Sequence, residues 1–422
     1  MHKNYDVIVV GAGPAGLMSA IAAAEQGASV LLLEKNKKPA KKLAMTGGSR
    51  CNVTNNRPVA DLIQHIPGNG RFLYSTFSQW NNQDIMAFFA ARQVALKEED
   101  HGRMFPVTDR SRTIIDTLVT AAKDAGVTIE TNTTVEKLLT AATGEIQGVR
   151  SAKGDTHAPC VIITTGGITY PGTGSTGDGY QFAKRLGHTV TPLFATEAPL
   201  ISEDPFIKSG ALTGLSLQNV ALSVLNKKGK AEVTHQMDLL FTHFGLSGPA
   251  ALRCAYFVNR QLRQAPGEAV LLQLDCLPET SHAQLSTQLQ QLFRDNRKSV
   301  KNALAQLLPD RLLALFVDQL QLTDTQAKQV TEKQLDALVN LIKTFPITIK
   351  QTIGLEKAFV TAGGINLKEI DPKTLASKLV SGLFFAGEVL DINGYTGGYN
   401  ITTALCTGHV AGQHAAQFAG YW

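Results

Sequence analysis

The chain has 422 residues, 44% hydrophobic and 18% charged, with a formal net charge of +5, which gives core material for about two or three domains and excludes wholesale disorder. Its five cysteines, Cys51, Cys160, Cys254, Cys276 and Cys406, are scattered and never spaced CxxC, which excludes a disulfide scaffold or a CxxC dithiol centre, and no metal site is expected. The mild positive excess does not single out nucleic acid or a lipid surface, no apolar run reaches the ~18 residues of a membrane span, and the start runs into a strand pattern without a signal peptide, so a soluble cytoplasmic protein is expected.

Residues Tyr5 to Val10 form a short β-branched apolar run, the pattern of a strand buried on both faces. It leads into Gly11-Ala12-Gly13-Pro14-Ala15-Gly16, then a helical stretch to Gln26, then a second strand, Ser29 to Leu33, ending at Glu34. Gly11 suits a tight turn, Gly13 lets the backbone approach a pyrophosphate, and Gly16 permits close helix–strand packing. The helix end offers N–H groups to phosphates, and Glu34 stands where a carboxylate accepts from ribose hydroxyls. The acid disfavours a 2′-phosphate, so FAD or NAD is expected over NADP.

Lys35 to Lys42 is a basic loop, read mostly as a solvated turn, with Lys41 and Lys42 near enough to the next motif to face phosphates. That motif, Thr46-Gly47-Gly48-Ser49-Arg50-Cys51-Asn52, is a poor helix and a poor strand but a good nest of backbone donors. Residues 72 to 96 read as helical, 99 to 106 as a polar loop, and 111 to 125 as a helix. Strands follow at 127–130, 134–139, 146–150 and 160–165, the last running into Gly166-Gly167. The GTGSTG at 172–177 is a second formal GxGxxG, but Pro171 intervenes after the strand and no second-strand acid follows. It reads as a loop returning to the first cofactor. From Pro192 to about Leu277 short alternating runs predict a barrel-like β domain, and residues 279 to 345 predict several short helices.

Cofactor chemistry returns near the end of the chain. Leu383 to Ala386 is a strand, followed by Gly387-Glu388, a Gly-rich loop through Gly394, Gly397 and Gly398, and a small-residue helix from Ile401. This second set of backbone donors suits a ribityl chain and flavin ring, which favours FAD. The expected fold is α/β: a Rossmann-like FAD-binding domain, 1–192 with 350–422, carrying an inserted β-rich domain, 193–278, and an inserted helical domain, 279–349.

The motifs GAGPAGL at Gly11, MTGGSRCNVTN at Met45, TTGGITYPGTGSTGDGY at Thr164, LLFTHFGLSGPA at Leu239 and GEVLDINGYTGGYN at Gly387 span most of the chain. Together they resemble the FAD-dependent oxidoreductase family that includes BaiN-type flavoproteins and aminoacetone oxidases, distant relatives of the fumarate reductase and succinate dehydrogenase flavoproteins. Ser49 departs from the pattern, where a third Gly is usual. The resemblance implies noncovalent FAD in an extended pose, with Gly11, Ala12, Gly13, Pro14, Ala15 and Gly16 at the pyrophosphate. Glu34 would meet the AMP ribose, with Lys35 and Lys42 nearby, and Val135 the adenine end. Thr46, Gly47, Arg50, Cys51 and Asn52 would lie near the flavin, with Gly397, Gly398, Tyr399, Asn400 and Ile401. Thr165, Gly166, Gly167, Gly387 and Glu388 would line the ribityl-pyrophosphate stretch, and a two-part insertion would cap the flavin over the substrate.

The function read here is hydride transfer between a small-molecule substrate and flavin, with NAD(P)H or oxygen as the second partner left open. No pair of residues dictates an acid–base mechanism. Candidates are His101, Arg103, Tyr170, His243, Tyr395, Tyr399 and Asn400, and Cys51 reads as an inert packing thiol. Two alternatives stay open: a flavoprotein acting on nucleic acid, set back because no basic stripe interleaves with aromatics apart from the short Lys35–Lys42 loop, and a flavin-binding regulator without turnover. The oligomeric state is not legible.

Overall fold

Short apolar runs of four residues become fully buried parallel strands in the computed structural model, which describes residues 5–420. These residues fall into two compact units, one running to Phe194 and resuming at Leu355, the other Ala195–Gly354. In the first unit a five-stranded parallel sheet has the order Leu383–Phe385, Cys160–Ile163, Val7–Val10, Val30–Leu33, Thr128–Glu130. Val7 is in register with Cys160 on one side and Val30 on the other. The C-terminal segment therefore adds its strand to the sheet that the first residues start.

The first helix, Pro14–Glu25, packs along the last, Tyr399–Ala419. Gly408 and Gly412 lie four residues apart, on one helix face. A Cβ at Gly408 would sit 2.4 Å from the Ala15 carbonyl oxygen, and one at Gly412 2.2 Å from that of Ser19. The two backbones touch because neither position carries a side chain. No helix among the described residues is long and apolar enough to cross a membrane.

Two readings of the sequence need correction. The stretch 72–96 is not one helix: it breaks at Trp80, Asn81 caps a second helix, Asn82–Ala90, in a capping box with Asp84, and Leu96–Glu99 is a strand. The polar loop 99–106 contains a further strand, Arg103–Pro106, paired antiparallel with Leu96–Glu99 and with Thr54–Asn55. Charged residues on this hairpin, Lys97, Glu99 and Arg103, pair with one another and with Asp109, so the strand does not show the apolar alternation that marks a half-buried strand.

In the second unit six antiparallel strands close a barrel in the order Leu200–Ser202, Gly245–Ser247, Ala231–Phe241, Ser216–Leu225, Val270–Asp275, Phe345–Thr352. Every second residue points inward, as a period of two requires: Val270, Leu272 and Leu274 on one strand are buried, as are Phe345, Ile347 and Ile349 on the next. The barrel's last strand follows the helical stretch in sequence, so barrel and helices belong to one compact unit. The helix Pro249–Gln264 packs on the barrel through Ala251, Cys254, Ala255 and Val258.

Candidate cofactor and active site

The first strand ends in a turn that leaves no room for side chains. At Gly11, with φ +102°, a Cβ would lie 2.9 Å from the Thr164 carbonyl oxygen, and at Gly16 it would lie 1.8 Å from the Gly11 carbonyl oxygen. Gly13 is different: a Cβ there would meet nothing within 4 Å. The helix that follows has Pro14 at its start, no side-chain cap and no acid in its first turn. The first N–H groups of a helix have no intrahelical acceptor, and here no side chain claims those of Ala15 and Gly16. An uncapped helix end facing open space across a bare glycine fits a pyrophosphate.

Glu34 is buried at the end of the second strand. Its Oε2 accepts the Ala12 N–H at 2.9 Å, and its Oε1 accepts the Asn36 N–H and Nδ2 at 2.8 and 2.7 Å. A carboxylate offers about four lone-pair positions, so capacity remains for a ribose hydroxyl. Its own backbone is tied to Glu130 and Thr133, which brings Val135 close. Lys35 is drawn away to Asp178 at 2.6 Å.

Lys42 and Glu388, far apart in sequence, form an ion pair at 3.0 Å. Glu388 also accepts the N–H groups of Thr361 and Gly167, at 3.0 and 3.3 Å. One carboxylate thus gathers four segments of the chain. Beside it, Gly387 donates its N–H to Thr407 Oγ1 at 3.0 Å, and a Cβ on Gly387 would lie 2.8 Å from the Ala15 Cβ. Gly166 has φ +72°, and the Thr165 hydroxyl oxygen is buried without a partner.

The last helix starts at a second uncapped end. Gly398 precedes it with φ +95°, and its first turn holds no acid and no side-chain cap. A Cβ on Gly398 would lie 2.5 Å from the Thr54 carbonyl oxygen and 3.0 Å from Asn52 Oδ1, an oxygen buried without a partner. Asn55 Nδ2 donates to the Gly397 carbonyl at 2.9 Å. The loops predicted to flank the flavin are therefore in contact. Within the first of them Gly47, Gly48, Ser49 and Cys51 all have left-handed φ, between 55° and 68°. Ser49, which carries a Cβ, is among them.

Several candidates turn out to be engaged by the protein itself. Asn400 accepts the Gly394 N–H and donates to the carbonyls of Gly394 and Tyr395, closing the 394–400 loop. Tyr399 is buried and stacks on His65, with ring centroids 4.8 Å apart, and Tyr395 meets the same imidazole edge-on. Arg50 pairs with Glu99 at 2.8 Å and lies 4.2 Å over Phe105. Cys51 is fully buried, and burial pushes its thiol up to about 12, so it is an inert packing group. His101 is exposed on the hairpin, Arg103 pairs with Asp100, and Tyr170 faces Phe359 at 6.1 Å. His243 sits exposed on a barrel turn in the other unit, edge-on to Phe244.

Sequence reasoning missed His65, Asp391 and Asn393. Burial pushes the Asp391 carboxyl above the usual range. Asn393 is buried with both amide atoms unpartnered, and its backbone pairs with Gly68. No local spacing signals these residues, because only the tertiary pairing of 65–69 with 391–395 brings them to the loop.

A parallel sheet with two bare helix ends, an acid after its second strand and glycine-packed crossings defines a Rossmann-type dinucleotide-binding fold. Residues 5–414 match the family model described as HI0933-like protein Rossmann domain. A ribosomal RNA dihydrouridine synthase of Escherichia coli is 32% identical over 409 residues, 95% of this chain and 96% of that protein. A 3-dehydro-bile acid delta(4,6)-reductase of Clostridium scindens is 28% identical over 97% of this chain and 98% of its own length. Among solved structures, a 3-ketosteroid-delta4-(5alpha)-dehydrogenase from Rhodococcus jostii shares the fold, with a TM-score of 0.54 at 15% identity, covering 98% of this chain and 97% of that one. The chain belongs to the HI0933-like family of flavoprotein oxidoreductases.

Proposed function

We propose that the protein binds FAD noncovalently and reduces a carbon–carbon double bond conjugated to a carbonyl, and that its substrate is a uracil base of ribosomal RNA. The observation that carries the substrate is the near full-length similarity to ribosomal RNA dihydrouridine synthases, 32% in Escherichia coli and 31% in Haemophilus influenzae. Dihydrouridine is uridine with two hydrogens added across a double bond conjugated to a ring carbonyl. The reduction named for the Clostridium relative concerns steroid double bonds of the same electronic kind. Both reactions deliver a hydride to the carbon remote from the carbonyl and a proton to the carbon beside it.

FAD bound here and reduced by NAD(P)H would supply that hydride, with the proton coming from solvent. The chain's own part is placement and electrostatics. The Ala15 and Gly16 N–H groups hold the pyrophosphate and Glu34 accepts from the adenosine ribose. The bare N–H groups of Asn400 and Ile401, oriented by the closed 394–400 loop, stabilise negative charge at the flavin edge next to the last helix. A cytoplasmic location, where ribosomes and reduced pyridine nucleotides are found, goes with this reading.

The test uses purified protein with FAD, NADH or NADPH, and ribosomal RNA that lacks dihydrouridine. Nucleoside mass spectrometry should find uridine converted to its dihydro form. A second reading, a small conjugated ketone as substrate, is supported by the Clostridium relative and by the lack of a long basic stripe in the sequence. The same assay with a steroid enone decides: turnover of the enone with unmodified RNA would replace the first reading. A protein that takes up no FAD would end both.

A further inference from the structure

We propose that the basic loop Lys35–Lys42 and the Tyr170–Phe359 ring pair beside it form a binding surface for single-stranded RNA, an inference that rests on the uracil reading above. Five of the eight loop residues are lysines. Two are neutralised in place, Lys35 by Asp178 and Lys42 by Glu388. Lys41 reaches the Gly172 carbonyl at 2.7 Å, a contact that holds the ammonium without cancelling its charge. Among the described residues, Lys37, Lys38 and Lys41 form no ion pair, and all three are exposed.

The loop is not a floppy run of charge. Its lysine contacts to Asp178, Gly172 and Thr169 fasten it to the segment 169–178, and the Ala40 N–H donates to the Ala12 carbonyl at 2.9 Å. That same segment carries Tyr170, whose ring lies 6.1 Å from the Phe359 ring at 42°. Thr169 Oγ1 contacts the Phe359 carbonyl, which locks the two together. Phe359 is 47% exposed, a large apolar face left in water beside cations. Lys357 adds an exposed positive charge two residues away, and Glu356 is the acid on that turn.

A fastened basic loop and an exposed ring beside it are the two components that hold a nucleic acid strand: cations track the phosphates and a base stacks on the ring. A folded peptide partner would use the ring but has no need of three unpaired lysines. A strand held here lies on the unit that carries the cofactor motifs.

The experiment measures binding of a labelled single-stranded ribosomal RNA fragment to the FAD-loaded protein by fluorescence anisotropy, across salt concentrations. Wild type should bind more weakly as salt rises. K37Q/K38Q should lower the slope of log affinity against log salt by about 1.4, two phosphate contacts at about 0.7 each. F359A should weaken binding about tenfold with the slope unchanged. FAD content and melting temperature serve as folding controls. If both variants bind with wild-type affinity and slope, the surface is wrong, and if wild type still forms dihydrouridine the uracil reading survives. RNA binding that depends on these residues without dihydrouridine would keep the surface and sink the reaction. An F359A variant that loses turnover of a small conjugated ketone, with RNA affinity unchanged, would assign the ring to a substrate pocket and overturn the proposal.

Discussion

In the nucleotide-binding unit, glycines bring backbone directly against backbone at Gly16 on Gly11, Gly408 on Ala15 and Gly412 on Ser19. In the barrel unit the interior is filled by side chains, with Leu222, Leu239, Leu272, Leu274, Ile347 and Ile349 all fully buried. Gly245, whose Cβ would lie 2.1 Å from the Leu200 carbonyl oxygen, is where the barrel uses the first unit's device. Backbone contacts cannot relax around an added atom, because no flexible side chain stands between the two chains. A side-chain core loses stability in proportion to what is removed, since its neighbours partly close the gap. The rigid kind also holds both bare helix ends of the candidate cofactor site, which are fixed by glycine crossings.

The sharpest way to break this comparison is Gly16→Val. Its branched side chain would overlap the Gly11 carbonyl, so the expected result is loss of both soluble folded protein and bound FAD, read by circular dichroism and flavin absorbance. A folded, yellow variant would show that the turn can give way. In the barrel, Leu272→Ala should cost about 2–5 kcal/mol in urea unfolding while the protein still folds and keeps FAD. An all-or-none loss there would erase the contrast.

A third measurement concerns His409 on the last helix, stacked on Trp80 with ring centroids 4.5 Å apart. Burial pulls its imidazole down to about 4 from the usual 6.5. Above pH 6.5 neither folded nor unfolded form carries its proton; between 6.5 and 4 only the unfolded form does. Stability should therefore fall as pH drops through that window, by up to about 3 kcal/mol, and level off below it. His409→Phe should remove this part of the acid sensitivity, and equal pH profiles for the two proteins would refute the assignment.

Glu34→Gln tests the cofactor side. The amide keeps one acceptor but turns its NH2 against either the Ala12 N–H or the Asn36 donors, so FAD affinity should weaken by about 1–3 kcal/mol in titration of the apoprotein. Unchanged affinity would make Glu34 only a structural tie. The smallest effect is a gain. Ser49 holds φ +68°, a region that costs a residue with a Cβ about 1 kcal/mol, so Ser49→Gly should raise stability by up to that amount. A loss would mean that the hydroxyl matters more than the strain.

The parts of this molecule that were legible in its sequence are those whose physics is local. A glycine turn between an apolar strand and a helix needs only neighbouring residues, so Gly11 to Glu34 could be placed without a structure. Three barrel strands, at 216–225, 231–241 and 270–275, announced themselves by alternation, but Phe345–Thr352, which closes the barrel, fell across the expected helical insert and its border with the cofactor domain. The hairpin at 96–106 did not, because its charged pairs satisfy one another where apolar residues would mark a core. Lys42 and Glu388 were each assigned to the cofactor region, yet their pairing was hidden by the length of chain between them. Asn400 was taken for a possible catalytic group, and the structure shows its amide spent on its own loop. Asn393 lies within the quoted motif at Gly387, but nothing local marks its buried, unpartnered amide.

The crossing of the first helix by the last also sets an order of events during synthesis. Residues 195–354 are continuous, and all six barrel strands are made before the chain moves on. Pro14–Glu25 must wait for Tyr399–Ala419, the partner that covers Ala15 and Ser19. At ribosomal rates of about 5–20 residues per second the delay is roughly 20–80 s. Only for roughly the last 3–13 s of it, while the residues after Gly354 are made, does the nascent chain carry a finished barrel beside an open nucleotide fold, whose uncovered strands and small-residue helix face are what a chaperone would be expected to hold.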